Sequence, residues 1–451
     1  MIWLSLCLSW IYWIYLGTNT QMVLAQDALS YDYLGRQILE NGFFNHYFTS
    51  GPNREPVYPL LVAFSMQVGL LSGIASTKVL AFLGVVILIC NQLCLWRILQ
   101  ILKIRPIIIA FTLLYLGISP AINNGAFSLY SEIATYPFIL PLILVSHYYH
   151  TSIQHVRNNA ILFAILQGII LVCLTLVKAS FEVIAPVFLV SFNMYTWYKN
   201  KQELSRVLCC AFASLLIFFC PIITYKLYNK QYNDHFAITD RASWALYGNT
   251  ARRMEPLNQE RLLSAIAYVP GEGSCRKFFT IKACDFWSFT QSDDFGMTKA
   301  AELKSKLLSE ETINHRLLQA TINKTLLNPL QYAILTALEA LKMFFWESTQ
   351  IGFVAYPLWL TKIYGNVLFK DILRLIVSLC TIFAVFFMYW RSLQRNTPPL
   401  IVVISLLSFL YISTYAFFFI LTRYALPLAP LFLIAIAYAA NFLYNDRHAK
   451  H

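Results

Sequence analysis

The sequence predicts an all-α polytopic membrane protein, a bundle of about ten transmembrane helices with outer juxtamembrane helices and a small extracytoplasmic cap. Three observations predict it. Of the 451 residues, 58% are hydrophobic and 12% charged, with a mean hydropathy of +0.58. That is more apolar surface than a water-soluble fold can hide. Apolar runs of about 20 residues, the length needed to cross a bilayer, recur along the chain. In a chain with net charge +12, clusters of cations mark several of the short connections between those runs. In such loops they set membrane orientation, so the charge is not read as a nucleic-acid surface. An aromatic content of 16% suits belts of Trp and Tyr at the two interfaces.

In chain order the expected spans are 2–20, 78–97, 106–123, 128–148, 159–177, 181–198, 206–227, 371–390, 399–420 and 425–444. The first has neither a basic start nor a cleavage site and is read as a helix that stays in the membrane, not as a signal peptide. Arg97, Lys103 and Arg105 mark one cytoplasmic loop and Arg157 the next. Lys199, Lys201 and Arg206 mark a third, Arg391 and Arg395 a fourth, and Arg447 with Lys450 the C-terminus. These marks agree if 57–73 enters the membrane face and leaves without crossing. The stretch 333–368, interrupted by Glu339, Lys342 and Glu347, could add a hairpin without changing the parity. The organisation expected is an N-terminal membrane module, 1–227, whose first outer loop is 21–77. A cap with an amphipathic segment follows at 228–370, then the C-terminal helices at 371–451.

The polar residues with chemical potential lie on the non-cytoplasmic side of this topology. In DALSYDYLGRQILENGFF, Tyr31, Leu34 and Ile38 recur at helical spacing before Gly42, which predicts an amphipathic surface helix. Asp27 opens it and, read locally, is an N-cap, while Asp32 is a solvated residue. In GPNREPVYPLL, Pro56 and Pro59 set an extended approach to the bilayer. Arg54 and Glu55 at its mouth suit a local ion pair as well as a ligand contact. Glu132, Lys178, Glu182 and Arg423 stand at the outer ends of other spans. Charges near a membrane are costly and tend to line cavities, so four such sites on one side point to function. Carboxylates supply a general base, and Arg and Lys stabilise a departing phosphate oxygen. This set suits attack by an acceptor on a sugar carried by a lipid phosphate. No Walker loop or HExxH motif is present.

In the cap segment SWALYGNTARRM, Trp244, Tyr247, Arg252 and Arg253 are candidates to touch sugar or acceptor, against a bland reading as ordinary cap structure and solvated charge. Of ten cysteines, eight lie in or beside apolar runs and read as small hydrophobes. Cys275 and Cys284 stand in a polar loop and can pair if that loop faces an oxidising compartment.

Several motifs, in matching order from end to end of the chain, resemble the GT-C glycosyltransferases, especially the protein O-mannosyltransferase and lipid A aminoarabinose transferase branch. They are Asp27-x-x-x-Tyr31-x-x-Leu34, Arg54-x-Pro56-x-Tyr58-Pro59-Leu60, Ser131-Glu132, Thr175-x-x-Lys178 and Arg423-Tyr424-x-x-Pro427-x-x-Pro430. The resemblance implies a GT-C-like bundle and sugar transfer from a polyprenyl-phosphate donor on the periplasmic or lumenal side, usually with inversion. It also implies that Asp27 is the catalytic base, that Arg54, Lys178 and Arg423 hold the lipid phosphate, and that Glu132 is a second cavity carboxylate. Substrate contacts would come from Tyr31, Glu55, Tyr58, Glu182, Tyr424, Trp244, Arg252 and Arg253. The expected partners are the lipid-linked sugar, a lipid, glycan or protein acceptor, and membrane lipids, with no nucleic acid. No cofactor is expected, and the pattern neither requires a divalent metal nor rules one out. The location implied is a bacterial inner membrane with the site facing the periplasm, or the endoplasmic reticulum membrane in a eukaryote.

The chain departs from the family in three respects. The first outer loop lacks Asp-x-Asp, which makes the metal-dependent oligosaccharyltransferase branch a poorer match. Glu55 follows Arg54 where the family commonly carries a small residue or proline. The chain is short for the family, so a separate soluble C-terminal domain is not expected. The competing reading is a lipid or solute transporter without glycosyl transfer. Its usual paired repeats and midplane sites are not visible in the sequence. A noncatalytic lipid-binding subunit is a third reading.

Overall fold

The computed structural model describes residues 1–42, 54–239, 241–347 and 351–448. Gly51, Pro52 and Asn53 of the GPNREPVYPLL motif lie outside the described residues. The described chain is almost wholly helical, and its helices share one continuous apolar core that runs from Leu6 to Ala439. Many large apolar side chains face outward, among them Phe111, Phe212, Leu379 and Phe383, each more than half exposed. In water such surface would be a severe penalty, whereas in lipid it is the expected finish. The protein is therefore a multi-pass integral membrane protein.

Among the described residues, six helices are long and apolar enough to cross a membrane. They are Ser76–Ile101, Ala160–Val177, Lys201–Asn233, Val367–Ser392, Pro399–Ala416 and Thr422–Asp446. A seventh results if Pro106–Ile118 and Pro120–Phe127, bent by 47° at their junction, form one span. The ten spans expected from the sequence are thus not matched in number, although a helix occupies each expected position. Ile2–Asn19, Tyr136–Gln154 and Phe181–Lys199 are of crossing length but carry many Trp, Tyr, Ser or His residues, which dilute their apolarity. The 106–123 span is broken before Pro120. Glu347 reaches into the break and accepts hydrogen bonds from Tyr115 Oη, Ser119 Oγ and the Ala121 amide at 2.7–2.9 Å. The last of these contacts occupies a backbone amide that the interrupted helix ladder leaves open.

Helix Val57–Ser72 has 16 residues, about 24 Å of rise, which falls short of the ~30 Å hydrocarbon core. It doubles back through Gly73, in the left-handed conformation, into Ser76–Ile101. Among the described residues of the 333–368 stretch, no pair of helices is long enough to form a transmembrane hairpin. Pro329–Leu341 and Leu358–Gly365 have 13 and 8 residues, and a two-residue strand at Val354–Ala355 pairs antiparallel with Gln21–Met22. This pairing ties the segment to the start of the first outer loop.

The cap is a stack of short helices, chiefly Ala242–Arg253, Gln259–Tyr268, Phe289–Lys304 and Glu310–Leu327. Asn258, Ser288 and Ser309 each accept a hydrogen bond from a first-turn amide, which starts three of these helices at polar residues. The first and third cross at glycines: a Cβ on Gly248 would lie 2.8 Å from the Gly296 nitrogen. Cys275 and Cys284 are disulfide-bonded and pack with Tyr268 and Trp287 in a small separate core.

Candidate active site

Asp27 is the first residue of the helix Asp27–Asn41, a position where the helix dipole favours an acid. Its side chain makes no cap. Contrary to the local reading, both carboxylate oxygens turn away from their own helix: Oδ1 accepts from Arg54 Nη2 at 2.6 Å, and Oδ2 accepts from Arg423 Nη2. Gly35 lets this helix lie close on Val57–Ser72, since a Cβ there would meet a Val62 methyl at 2.6 Å. Asp32 pairs with Arg36 on the outer side, and although its partner is exposed, Asp32 itself is largely covered.

Two helix breaks bring the other charges in. Glu132 sits in the 3-10 turn Ser131–Thr135 and Arg423 in the 3-10 turn Thr422–Leu428, which contains Pro427. Tyr136 Oη and Tyr411 Oη donate to the carbonyls of Leu426 and Tyr424 and fix the second turn. Lys178 follows the last residue of Ala160–Val177 in extended backbone. Its ammonium lies 3.1 Å from Glu132 Oε1, and the Arg423 Nε lies 3.9 Å from the same oxygen. The result is an alternating chain, Arg54–Asp27–Arg423–Glu132–Lys178, whose members come from residues up to 396 positions apart. Glu132 Oε2 and Arg423 Nε are buried with no hydrogen-bond partner among the described residues.

Aromatic rings flank this chain. Arg423 stands 4.3 Å above the Tyr130 ring, and Arg54 5.0 Å from that of Tyr31. Tyr31 also donates to Ser131 Oγ. Glu55 does not pair with Arg54. Its carboxylate accepts from the Ala179 amide and so braces the loop after Lys178. Glu182 pairs with Lys226 at 2.6 Å.

All of these open onto one cavity of about 460 Å³, roofed by the cap residues Arg241, Trp244, Phe289 and Asp293. Asp27, Arg54, Glu132, Lys178 and Arg423 line it, as do Tyr31, Glu55, Glu182, Tyr424 and Trp244. Four expected contacts are elsewhere. Tyr58 is buried edge-on against Tyr31. Arg252 and Arg253 are fully buried at the base of the cap beside Glu339, so neither solvated charge nor substrate contact describes them. Tyr247 packs in the cap's own core. Among the described residues no group of three or more His, Cys, Asp or Glu side chains is arranged to hold a metal ion.

Arg241, Lys226, Tyr130 and Asp293 line the cavity without having been singled out in the sequence. Asp293 and its neighbour Asp294 lie in a polar helical segment where acids are common. The usable signal was the glycine pair Gly248 and Gly296, which sets Trp244 against the helix that carries Asp293.

Two of the cavity carboxyls, Asp27 and Asp293, titrate in opposite directions. Burial alone would raise Asp27, but Arg423 and then Arg54 outweigh it and hold the group at about 2. Asp27 therefore contributes stability above the ordinary carboxyl range, lost as the pH falls toward 2. Burial raises Asp293 to about 6, with Asp294 and Asp27 adding to the effect and Arg241 opposing it. Its ionised form weakens the fold at neutral pH, and that penalty fades as the pH falls from about 6 toward 4. Asp293→Asn should thus raise the thermal midpoint in detergent at pH 7.5, and the gain should shrink below pH 5. A gain of the same size across that range would show that Asp293 is not desolvated.

Comparison of the chain with protein-family models, with curated proteins and with solved structures returned no match.

Proposed function

We propose that this protein is a membrane glycosyltransferase that moves a sugar from a polyprenyl-phosphate donor to a lipid, glycan or protein acceptor. The observation that carries the reading is the alternating chain of two carboxylates and three cations along one wall of a single cavity. Asp27 is the general base. It takes the proton of the acceptor hydroxyl as that oxygen attacks the anomeric carbon. The bond from that carbon to the phosphate oxygen breaks, and its electron pair stays on the polyprenyl phosphate. Arg54, Arg423 and Lys178 stabilise the charge that develops there. Attack from the face opposite the leaving group inverts the anomeric centre.

The double ion pair gives this reaction an order. With both arginines on Asp27, the carboxylate is a poor base. An incoming lipid phosphate competes for the same guanidiniums, and each contact it takes leaves Asp27 buried with less compensation and hence more basic. The donor therefore arms the base before the acceptor reacts. Glu132 keeps Lys178 and Arg423 in register from behind. The cavity faces the periplasm of a bacterial inner membrane, or the lumen in a eukaryote, and the donor's chain stays in lipid.

The test is incubation of the purified protein with a panel of polyprenyl-phosphate sugars and candidate acceptors. Label should appear in an acceptor with stoichiometric release of polyprenyl phosphate. Vectorial uptake of lipid or solute into proteoliposomes, with no sugar transferred from any donor, would replace this reading with a transporter.

A further inference from the structure

A second cavity, of about 390 Å³, lies on the other side of the segment that leads into Arg423; Phe419 borders both. Three cations line it. Lys342 comes from the 3-10 turn Lys342–Phe345, while Lys370 and Arg374 come from the start of the helix Val367–Ser392. A cation in the first turn of a helix works against the helix dipole, so Lys370 is poorly placed for helix stability and well placed for an anion at that end. The amide-bearing helix start adds to the same positive field.

Two acids, Glu272 and Asp371, line the same cavity, and these and the neighbouring Glu339 are already engaged. Asp371 pairs with Lys277, Glu272 with Arg276, and Glu339 with Lys342. Arg374 Nη1 is aimed by a hydrogen bond to the Pro270 carbonyl. Lys370 is half-buried and makes no side-chain hydrogen bond or ion pair among the described residues. Next to these cations the same helix exposes Leu368, Ile372, Leu375 and Ile376, a face finished for lipid. The wall opposite includes Gly271 and Gly273, which carry no side chain to fill the space.

We propose that this cavity is a second anion site that takes the phosphate of a phospholipid-type headgroup, with Lys370 and Arg374 as its principal contacts. The lipid's chains lie along the exposed face of Val367–Ser392. The site is independent of the sugar-transfer reading and stands or falls by itself.

The test uses the full chain, purified and delipidated in an uncharged detergent, with bound lipid counted by native mass spectrometry. Phosphatidylglycerol and phosphatidylcholine are the two probes, and inorganic phosphate is added as a competitor. Phosphatidylglycerol should be retained in preference to phosphatidylcholine. Lys370→Gln should lower its retention about fivefold, the worth of roughly one cation beside an anionic headgroup, and Lys370→Arg should restore it. If millimolar inorganic phosphate displaces the lipid, the site serves soluble phosphates as well; if it does not, the site is specific to the lipid. Equal retention of the two lipids, or unchanged retention in Lys370→Gln, would overturn the proposal.

Discussion

Asp27→Asn should lower the turnover of sugar transfer by roughly 10²–10⁴-fold, the usual worth of a positioned base, while the affinity for the polyprenyl-phosphate donor holds or improves. The two halves of this expectation have separate causes. Asn cannot accept the acceptor's proton, so the chemical step loses its base. The same substitution removes the anion that occupies Arg54 Nη2 and Arg423 Nη2, so phosphate loses one competitor for each guanidinium. A purely structural role for Asp27 would give the opposite signature. Two buried arginines would repel each other, the cavity wall would loosen, and donor affinity would fall together with turnover. Steady-state kinetics with donor and acceptor varied separately, beside direct donor binding, tell these apart. Full activity in the variant would end the case for Asp27 as base.

Three charges of this network, Glu132, Lys178 and Arg423, were legible in the sequence because they stand at the ends of apolar runs, where an ionised group is expensive and stands out, whereas Asp27 and Arg54 lie in a polar loop and were marked only by the resemblance of their motifs. Their order along the chain is visible; who pairs with whom is not. Local reading made Asp27 an N-cap and offered Arg54 an ion pair with Glu55 beside a ligand contact, because sequence neighbours are the only protein partners that a sequence displays. The actual partners lie 27 and 396 positions from Asp27, and 124 from Glu55. The cap shows its buried charges less openly. Against a polar background, Arg252 and Arg253 look like surface charge and Asp293 like any helix acid. Burial separates them, and burial arises from helix crossings such as that at Gly248 and Gly296. The number of spans suffered from the same limit. A window of apolar residues does not reveal a break such as that at Ser119 and Pro120, which a distant carboxylate, Glu347, completes.

Glu339→Leu should destabilise the protein by about 3–5 kcal/mol, the usual cost of stripping the counter-ion from buried charges. Glu339 is buried at the junction of cap and bundle, and its carboxylate is the common partner of three cations: Lys342 at 2.9 Å, Arg252 at 3.5 Å and Arg253 at 3.8 Å. It also accepts the Ile420 amide, three residues before Arg423. Arg253 in turn donates to the carbonyl of Ala416, at the end of Pro399–Ala416, and to Thr336 Oγ1. One acid thus joins the cap helix Ala242–Arg253, the helix Pro329–Leu341 and the 417–423 segment that delivers Arg423 to Asp27. Leu matches the volume but leaves three positive charges together out of water, so the cap should detach before the membrane helices unfold. Denaturant unfolding in micelles, followed by the fluorescence of Trp244 and Trp287 in the cap, would show an early transition absent from the wild type. Glu339→Asp, which keeps the charge on a shorter stem, should lose less than half as much stability. If Glu339→Leu unfolds at the wild-type midpoint, the cations are compensated from elsewhere and Glu339 is not the group that anchors the cap over the cavity.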